Sequence, residues 1–467
     1  MFIIVCSQHG FFQFVCAHPF ACPCRCANLP DSLSTLPSNV HLALLSANEH
    51  YVLDEASGAL RRRIRAPKSL LPHLTVLVDD LLAAYTKGVV AADTSIGAGQ
   101  ADHLFRCRVM LLFWTGDYPA QALSSGTHSK TCHWCTHKSV HAPEVNRRCW
   151  CDYRRFLPAD HELRMHARYG APETRPPPDP RTHAGFVADA VENVTHRGFK
   201  KDAPYKRSGV KELSPLGALP MFNLVWDILP DMMHIIPGVW ARHIFGMFNG
   251  ERTPARPKQR KKFTDAENRE LQKQHEDALK HLASWTLTQE QKDTMDQRSM
   301  DLGGEPNWIR NNVGICSHAS SLNSHDWMLL IQSAGHYLLH NLFPEEPDKQ
   351  ECLLTLLDAC NRCLTTTSAY DSENREVIDQ VKQAVVVALC KVEACMPRTE
   401  LPVMFHVLLH VPDAIYRWNS VRNFWAFFGE RSALLHFDLS SICIFFPFRT
   451  CSLLDMYIFL FTFLLFC

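Results

Sequence analysis

Residues 219–240, LPMFNLVWDILPDMMHIIPGVW, decide how the chain is read. An apolar run from Met221 to Leu229 closes at Pro230. A bulky run ended by proline suits a buried strand or a short core helix. Asp231 and His234 stand at its exit and bracket two methionines. If a helix starts at Asp231, the i, i+3 spacing puts both side chains on one face. An acid and an imidazole there sit at the edge of the core, within reach of a metal or a substrate. The plainer alternative is an N-cap aspartate beside a satisfied core histidine.

A chain of 467 residues can bury a large core in two or three units. With 46% hydrophobic and 21% charged residues it is globular rather than disordered. Formal net charge is zero, so no global field draws it to nucleic acid. Any DNA binding has to come from local basic patches. The 19 cysteines are scattered apart from Cys22/Cys24/Cys26, Cys132/Cys135 and Cys149/Cys151. That pattern fits reduced thiols and a metal site better than a compact disulfide framework. Residues 1–26 are apolar but lack the basic start and cleavage site of a signal peptide. The last apolar run, 456–467, is shorter than the roughly 20 residues a bilayer span needs, so membrane is not an expected partner.

Outward from the central stretch, 70–85 carries apolar residues at helical spacing (Leu74, Leu77, Val78, Leu81, Leu82) and reads as an amphipathic helix. VMLLFW, 109–114, fits a buried central strand. Gly116 and Pro119 stop it and leave Asp117 at its end. Residues 171–181 form a proline-rich linker, and 252–262 a basic run suited to phosphate contact, nuclear import or a solvated link. Thr264-x-x-Glu267 is a capping box that opens a polar helix to about Trp285, and Thr288 caps another. Further helices are expected over 324–342, 348–365 and 372–395.

The stretch 132–164 has metal-ligand character. Cys132-His-Trp-Cys135 is half of a structural zinc site, because two thiolates at that spacing grip one tetrahedral ion. The other half is expected from Cys149 and Cys151, or from one of these with His137, His141 or His161. The alternative is a group of reduced cysteines with no metal.

Four stretches together resemble the CACTA (En/Spm-type) transposases. They are 113–135 (FWTGDYPAQALSSGTHSKTCHWC), 209–240 with its D-x-M-H signature, SHDW at 324–327, and 401–431 (LPVMFHVLLHVPDAIYRWNSVRNFWAFFGER). They stand in the family's order, and the resemblance covers roughly residues 38–431. The family also has a similar Cys-x-x-Cys and often a His before RRFLP, where this chain has Asp152-Tyr153.

The resemblance implies an α/β fold, an RNase H-like core interrupted by a large helical insertion, with a small Cys-rich, zinc-like module. It implies DNA strand cleavage and transfer at carboxylates that hold Mg2+ or Mn2+, hard ions that prefer oxygen. Asp117 and Glu430 are the expected carboxylate ligands. Asp231 and His234 support the site by orienting a ligand or holding DNA, or supply a metal ligand themselves, and Cys132, Cys135, Cys149, Cys151 and His161 are the expected ligands of a structural Zn2+. The first catalytic Asp of the family lies upstream. Asp79, Asp80 and Asp93 end no clear strand, so that residue is expected to be missing; a site short of one carboxylate is expected to bind its metals poorly, which leaves an active and an inactive form as the two alternatives. The expected divisions are an atypical 1–37, core 38–131, Cys/His module 132–170, core 171–250, helical insertion 251–398, return segment 399–431 and hydrophobic tail 432–467. The implied partner is double-stranded DNA at transposon ends, with a homo-oligomer and a nuclear location. A non-catalytic, transposon-derived DNA- or protein-binding module is the competing reading, and a membrane-anchored protein, resting on the apolar C-terminal residues alone, is the third. On the return segment, Phe427 and Glu430 share a helix face, so Phe427 packing on the core is expected to carry Glu430 toward Asp117.

Overall fold

The computed structural model describes residues 71–92, 104–108, 110–128, 130–166, 171–196, 202–257, 263–303, 314–367 and 373–423. It also describes the strands named below, together with residues 198 and 425. The chain is mostly helical, with a few small sheets. In chain order the strands are β1 (Phe2–Cys6), β2 (Pro23–Cys26), β3 (Val40–Leu42), β4 (Glu49–Leu53), β5 (Leu60–Ile64) and β6 (Val89–Ala92). β7 (Leu104–Cys107), β8 (Met110–Thr115), β9 (Val140–Ala142), β10 (Arg147–Cys149) and β11 (Ile228–Leu229) follow. The largest sheet runs β11-β8-β1-β2-β3; β4–β5, β6–β7 and β9–β10 are two-stranded ribbons.

The pair that matters for function is β8 and β11. They run parallel, with Ile228 opposite Trp114 and Leu229 opposite Thr115. β8 alternates toward burial and ends in the fully covered Trp114 and Thr115, as a central strand should. Helix Leu71–Thr86 lies beside it and buries Leu74, Val78 and Leu81, while Asp79 and Asp80 face solvent. A solvent-facing helical acid is no substitute for a carboxylate at a strand end. Asp93 lies outside the described residues.

The central apolar run is not a long strand. Only Ile228 and Leu229 pair; the residues before them form turns. Two side chains explain this. Asn223 Oδ1 accepts from the N–H groups of Val225 and Trp226, and Asp227 Oδ2 accepts from Asn223 N at 2.6 Å. These short-range bonds give the backbone an alternative to a ladder. After Pro230 the helix Met232–Pro237 begins with Asp231 as its N-cap and runs on into π-helical turns over Gly238–Phe245.

Beyond this lie the long helices. Both threonine capping boxes form, opening Asp265–Ala283 and Gln289–Asp301. The segment 324–339 is helical throughout but takes π-helical turns over Leu330–Ala334. Pro347–Thr365 and Glu373–Cys395 pack together, burying Leu353, Leu356, Leu357, Val381 and Val385. Helices Val403–Leu408 and Val411–Trp418 then bring the chain back. The Trp418 ring meets Phe113 of β8 edge-on at 4.9 Å, and Arg417 lies 5.0 Å from the Trp226 ring. Among the described residues, no helix is long and apolar enough to cross a membrane.

Candidate functional site

Two chemically distinct places lie close to the β8–β11 pair. The first is the carboxyl end of those strands. Asp117 comes two residues after Thr115, and Asp231 two residues after Leu229. Because Thr115 and Leu229 are opposite each other in parallel strands, both acids leave the sheet at one edge. Gln121 ties the edge together, donating to Gly116 O at 2.8 Å and Leu229 O at 2.5 Å. Each acid also begins a helix. Asp117 Oδ1 accepts from Ala120 N at 2.7 Å and caps Tyr118–Ser125. Asp231 Oδ1 accepts from Met233 N at 3.1 Å, and its Oδ2 meets His234 Nδ1 at 2.5 Å. Asp231 is buried, whereas His234 is half-exposed. Engagement of Nδ1 fixes the ring, which turns Nε2 to its opposite side. Glu430 and Phe427 both lie outside the described residues.

The second place is a Cys2His2 cluster. Cys132, Cys135, His406 and His410 are all buried, and their four ligand atoms lie within 4.8 Å of one another. Cys132 Sγ is 3.2 Å from His410 Nε2, Cys135 Sγ is 3.4 Å from His406 Nε2, and the two Nε2 atoms are 3.4 Å apart. A tetrahedron with metal–ligand bonds of about 2.0–2.3 Å has edges of roughly 3.3–3.8 Å, so the donor set fits one zinc-sized ion. The Cys-x-x-Cys turn is held from behind. The buried Arg181 guanidinium donates to Cys132 O and Cys135 O, both at 3.1 Å, and to Ser208 O. Trp134 N donates to Cys132 Sγ at 3.3 Å, and Trp134 Nε1 to Ile228 O of β11 at 2.9 Å. The cluster is thereby fastened to the same strand that leads to Asp231.

Electrostatics agree with a cation-seeking site. Burial pushes the Cys132 thiol up, but the hydrogen bond with Cys135 and the charges of His410 and His406 bring it well below its ordinary range. Burial lowers His406, keeping its imidazole neutral and fit to ligate. Aromatic rings wall the cluster. Trp150 stacks on His406 at 4.6 Å and Trp134 lies 5.2 Å from His410.

The other residues named from the sequence lie elsewhere. His137 stacks on His406 at 4.8 Å and is not among the four; burial takes it down to about 4. His141 is exposed on β9. His161 caps the short helix Glu162–Met165, its Nδ1 accepting from Leu163 N. Cys149 packs against Val140 O and Arg398; its hydrogen bond with Cys151 brings it down to about 7. Cys151 joins Asp152 and Glu393 in a second, less buried group. There both Glu393 oxygens accept backbone N–H groups, from Asp152 at 2.7 Å and Tyr153 at 2.8 Å. That carboxylate anchors a turn.

Sequence reasoning missed His406 and His410. A signal was present, since His-x-x-x-His puts two imidazoles on one helical face, as zinc ligand pairs require. The two cysteines lie more than 270 positions earlier, which separates the halves far beyond the usual spacing.

Residues 66–194 match the family model described as Transposase family tnp2. The match contains Asp117 and the Cys132–Cys135 turn and ends before Asp231 and the two histidines. It supports descent from a transposon-borne transposase family and a transposase-like function. No curated protein matches the chain.

Proposed function

We propose that this chain is a CACTA-type transposase-like protein that acts on double-stranded DNA by divalent-metal phosphoryl transfer on an RNase H-like core. The observation that carries the reading is the register of β8 and β11, which brings Asp117 and Asp231 to one sheet edge inside and beside the segment that matches the transposase family. Paired strand-end carboxylates suit hard ions such as Mg2+ or Mn2+, which supply charge stabilisation for an in-line displacement. Asp117 is the ligand in this reading. Asp231 orients His234, and Glu430 supplies the late carboxylate.

Cys132, Cys135, His406 and His410 hold a structural Zn2+. Its role is to pin the return segment to the β8–β11 pair, so that the segment ending in Glu430 starts from a fixed point. The protein works in the nucleus as a homo-oligomer, with the basic run 252–262 as its import signal.

One observation favours the second reading, a DNA-binding module without catalysis. Both oxygens of the buried Asp231 are already engaged, by Met233 N and His234, so it adds no second carboxylate ligand beside Asp117. The test is nicking of supercoiled plasmid by the full chain with Mg2+ or Mn2+. Metal-dependent nicking that Asp117→Asn abolishes upholds the enzyme. Duplex binding with no nicking in either metal upholds the module.

A further inference from the structure

The chain has no net charge, yet one surface collects cations that form no ion pair with an acid among the described residues. Backbone bonds fix its parts. Ser139 N and Oγ donate to Lys130 O at 3.1 and 2.9 Å, Thr131 bridges Lys138, and Arg148 Nε donates to Ser139 Oγ at 2.7 Å. From the other side, Lys211 N donates to Gly126 O and His128 N to Gly209 O. Gly126 is at φ 75°, and a side chain there would run into Glu212 O, so this junction is closely specified. Lys130, Lys138 and Arg148 are exposed, and Lys211 is half-buried.

Among the described residues none of these four has an acid within ion-pair distance; nearby Arg207 is matched by Glu192 at 2.6 Å. The groups around them repel. Beyond burial, His128 is lowered by Lys211, Lys130 and Arg148, and Lys138 by Arg181 and Arg207. A folded surface that keeps like charges together without counter-charges loses stability and is relieved by an anion.

We propose that Lys130, Lys138, Arg148 and Lys211 form a surface that grips the phosphate backbone of duplex DNA and holds it across the Asp117 edge. This deepens the proposed function and rests on it. The placement is specific. Helix Tyr118–Ser125 has Asp117 as its N-cap and Gly126, in the patch, as its C-cap. Nine steps at 1.5 Å each put Gly126 about 13.5 Å along the helix from Asp117, close to one major-groove width. A backbone held at the patch lays the facing strand near the carboxylates. The metal cluster bears on this too, because Arg181 binds both cysteine carbonyls and Ser208 O beneath the same surface.

The test uses the full chain, a fluorescent random-sequence 30-base-pair duplex and anisotropy over a salt series. The variant is Lys130→Gln/Lys138→Gln/Lys211→Gln, and the control is Lys273→Gln/Lys280→Gln on the exposed face of Asp265–Ala283. Each lost phosphate contact lowers the slope of log K against log salt by about 0.9. The triple variant should lose roughly 2–3 from the slope and bind at least tenfold more weakly in low salt. The control and the bound-metal content should match wild type, which separates lost contacts from misfolding. If wild type binds duplex and the triple variant keeps its slope, the patch assignment falls alone. If wild type binds no duplex even in low salt, the DNA-acting reading falls with it. If the triple variant loses binding to anionic lipid vesicles but not to duplex, the surface serves a membrane and the proposal is overturned.

Discussion

Cys132 Sγ and His410 Nε2 are 3.2 Å apart across 278 positions of sequence. That closure makes the return segment part of the module that opens at residue 132. It also makes metal content a direct readout of long-range folding. The full chain should carry one zinc per molecule, and Cys132→Ser or His410→Asn should abolish stoichiometric binding. Cys149→Ser and His161→Asn should leave the content unchanged. Inductively coupled plasma analysis decides; zinc lost equally in Cys149→Ser would shift the site to the other cysteines. Chelation should release the return helices, which bury Phe405, Leu408 and Ile415. Trp134 and Trp150 flank the ligands, so their fluorescence should change on metal removal and recover when zinc is restored.

This closure also marks the limit of reading the sequence. The Cys-x-x-Cys turn was legible because its spacing alone carries the mechanism. Helix Leu71–Thr86, β8, the Thr264 capping box and the Thr288 cap were legible for the same reason, since period and cap chemistry are local. The histidine half of the cluster was not, because the partner is set by the path of the helices between. The central run, expected as a buried strand or a short core helix, pairs as a strand only at Ile228 and Leu229, for a reason that composition hides. Asn223 and Asp227 bind the backbone of their own turn, and no apolar count registers that. The RNase H-like core remains the interpretation of one parallel pair and its acids.

Glu400 is wholly buried between His243 Nδ1 at 2.7 Å and Arg252 Nε at 2.8 Å. Burial pushes its carboxyl up, but His243 and Arg252 outweigh this and leave it below the usual range. His243 is itself lowered, mainly by burial, so near neutrality the charged partners are Arg252 and, at 3.8 Å from the other oxygen, Arg147. Both groups have folded values below their unfolded ones. Their stability is therefore present above the unfolded values and lost as pH falls through the folded ones. Glu400→Gln should cost about 3–5 kcal/mol at pH 7, as breaking one side of a buried pair does, and should flatten the acid limb of stability against pH. Urea unfolding at pH 7 and at pH 4 measures both; an unchanged acid limb would remove Glu400 as its source.

Asp227 should behave in the opposite sense. Burial lifts its carboxyl to about 6, against the pull of the Asn223 N–H and the Arg417 charge. A raised acid is easiest to bury protonated, so its stability is fullest below the unfolded value and is lost as pH rises through about 6. Asp227→Asn keeps an oxygen for Asn223 N. It should stabilise the protein by on the order of 2 kcal/mol at pH 8, since each tenfold change in the ionisation equilibrium is worth about 1.4 kcal/mol, and change little at pH 4. A variant less stable than wild type at pH 8 would show that the charge is wanted there.

Asp117 has two jobs in this reading, and a pair of substitutions separates them. As N-cap it satisfies Ala120 N. Asparagine caps a helix about as well as aspartate, whereas alanine costs about 1 kcal/mol. As ligand it must offer a negative oxygen to a hard ion, which asparagine's neutral amide does poorly. Asp117→Asn should therefore keep wild-type stability and zinc content, and should lose Mg2+-dependent nicking by at least a hundredfold. Asp117→Ala should lose nicking to the same degree and also about 1 kcal/mol of stability. Both variants should still bind duplex DNA, because the cations lie at the far end of helix Tyr118–Ser125. Plasmid nicking beside urea unfolding tests the pair. Full nicking in Asp117→Asn would leave Asp117 as a cap alone.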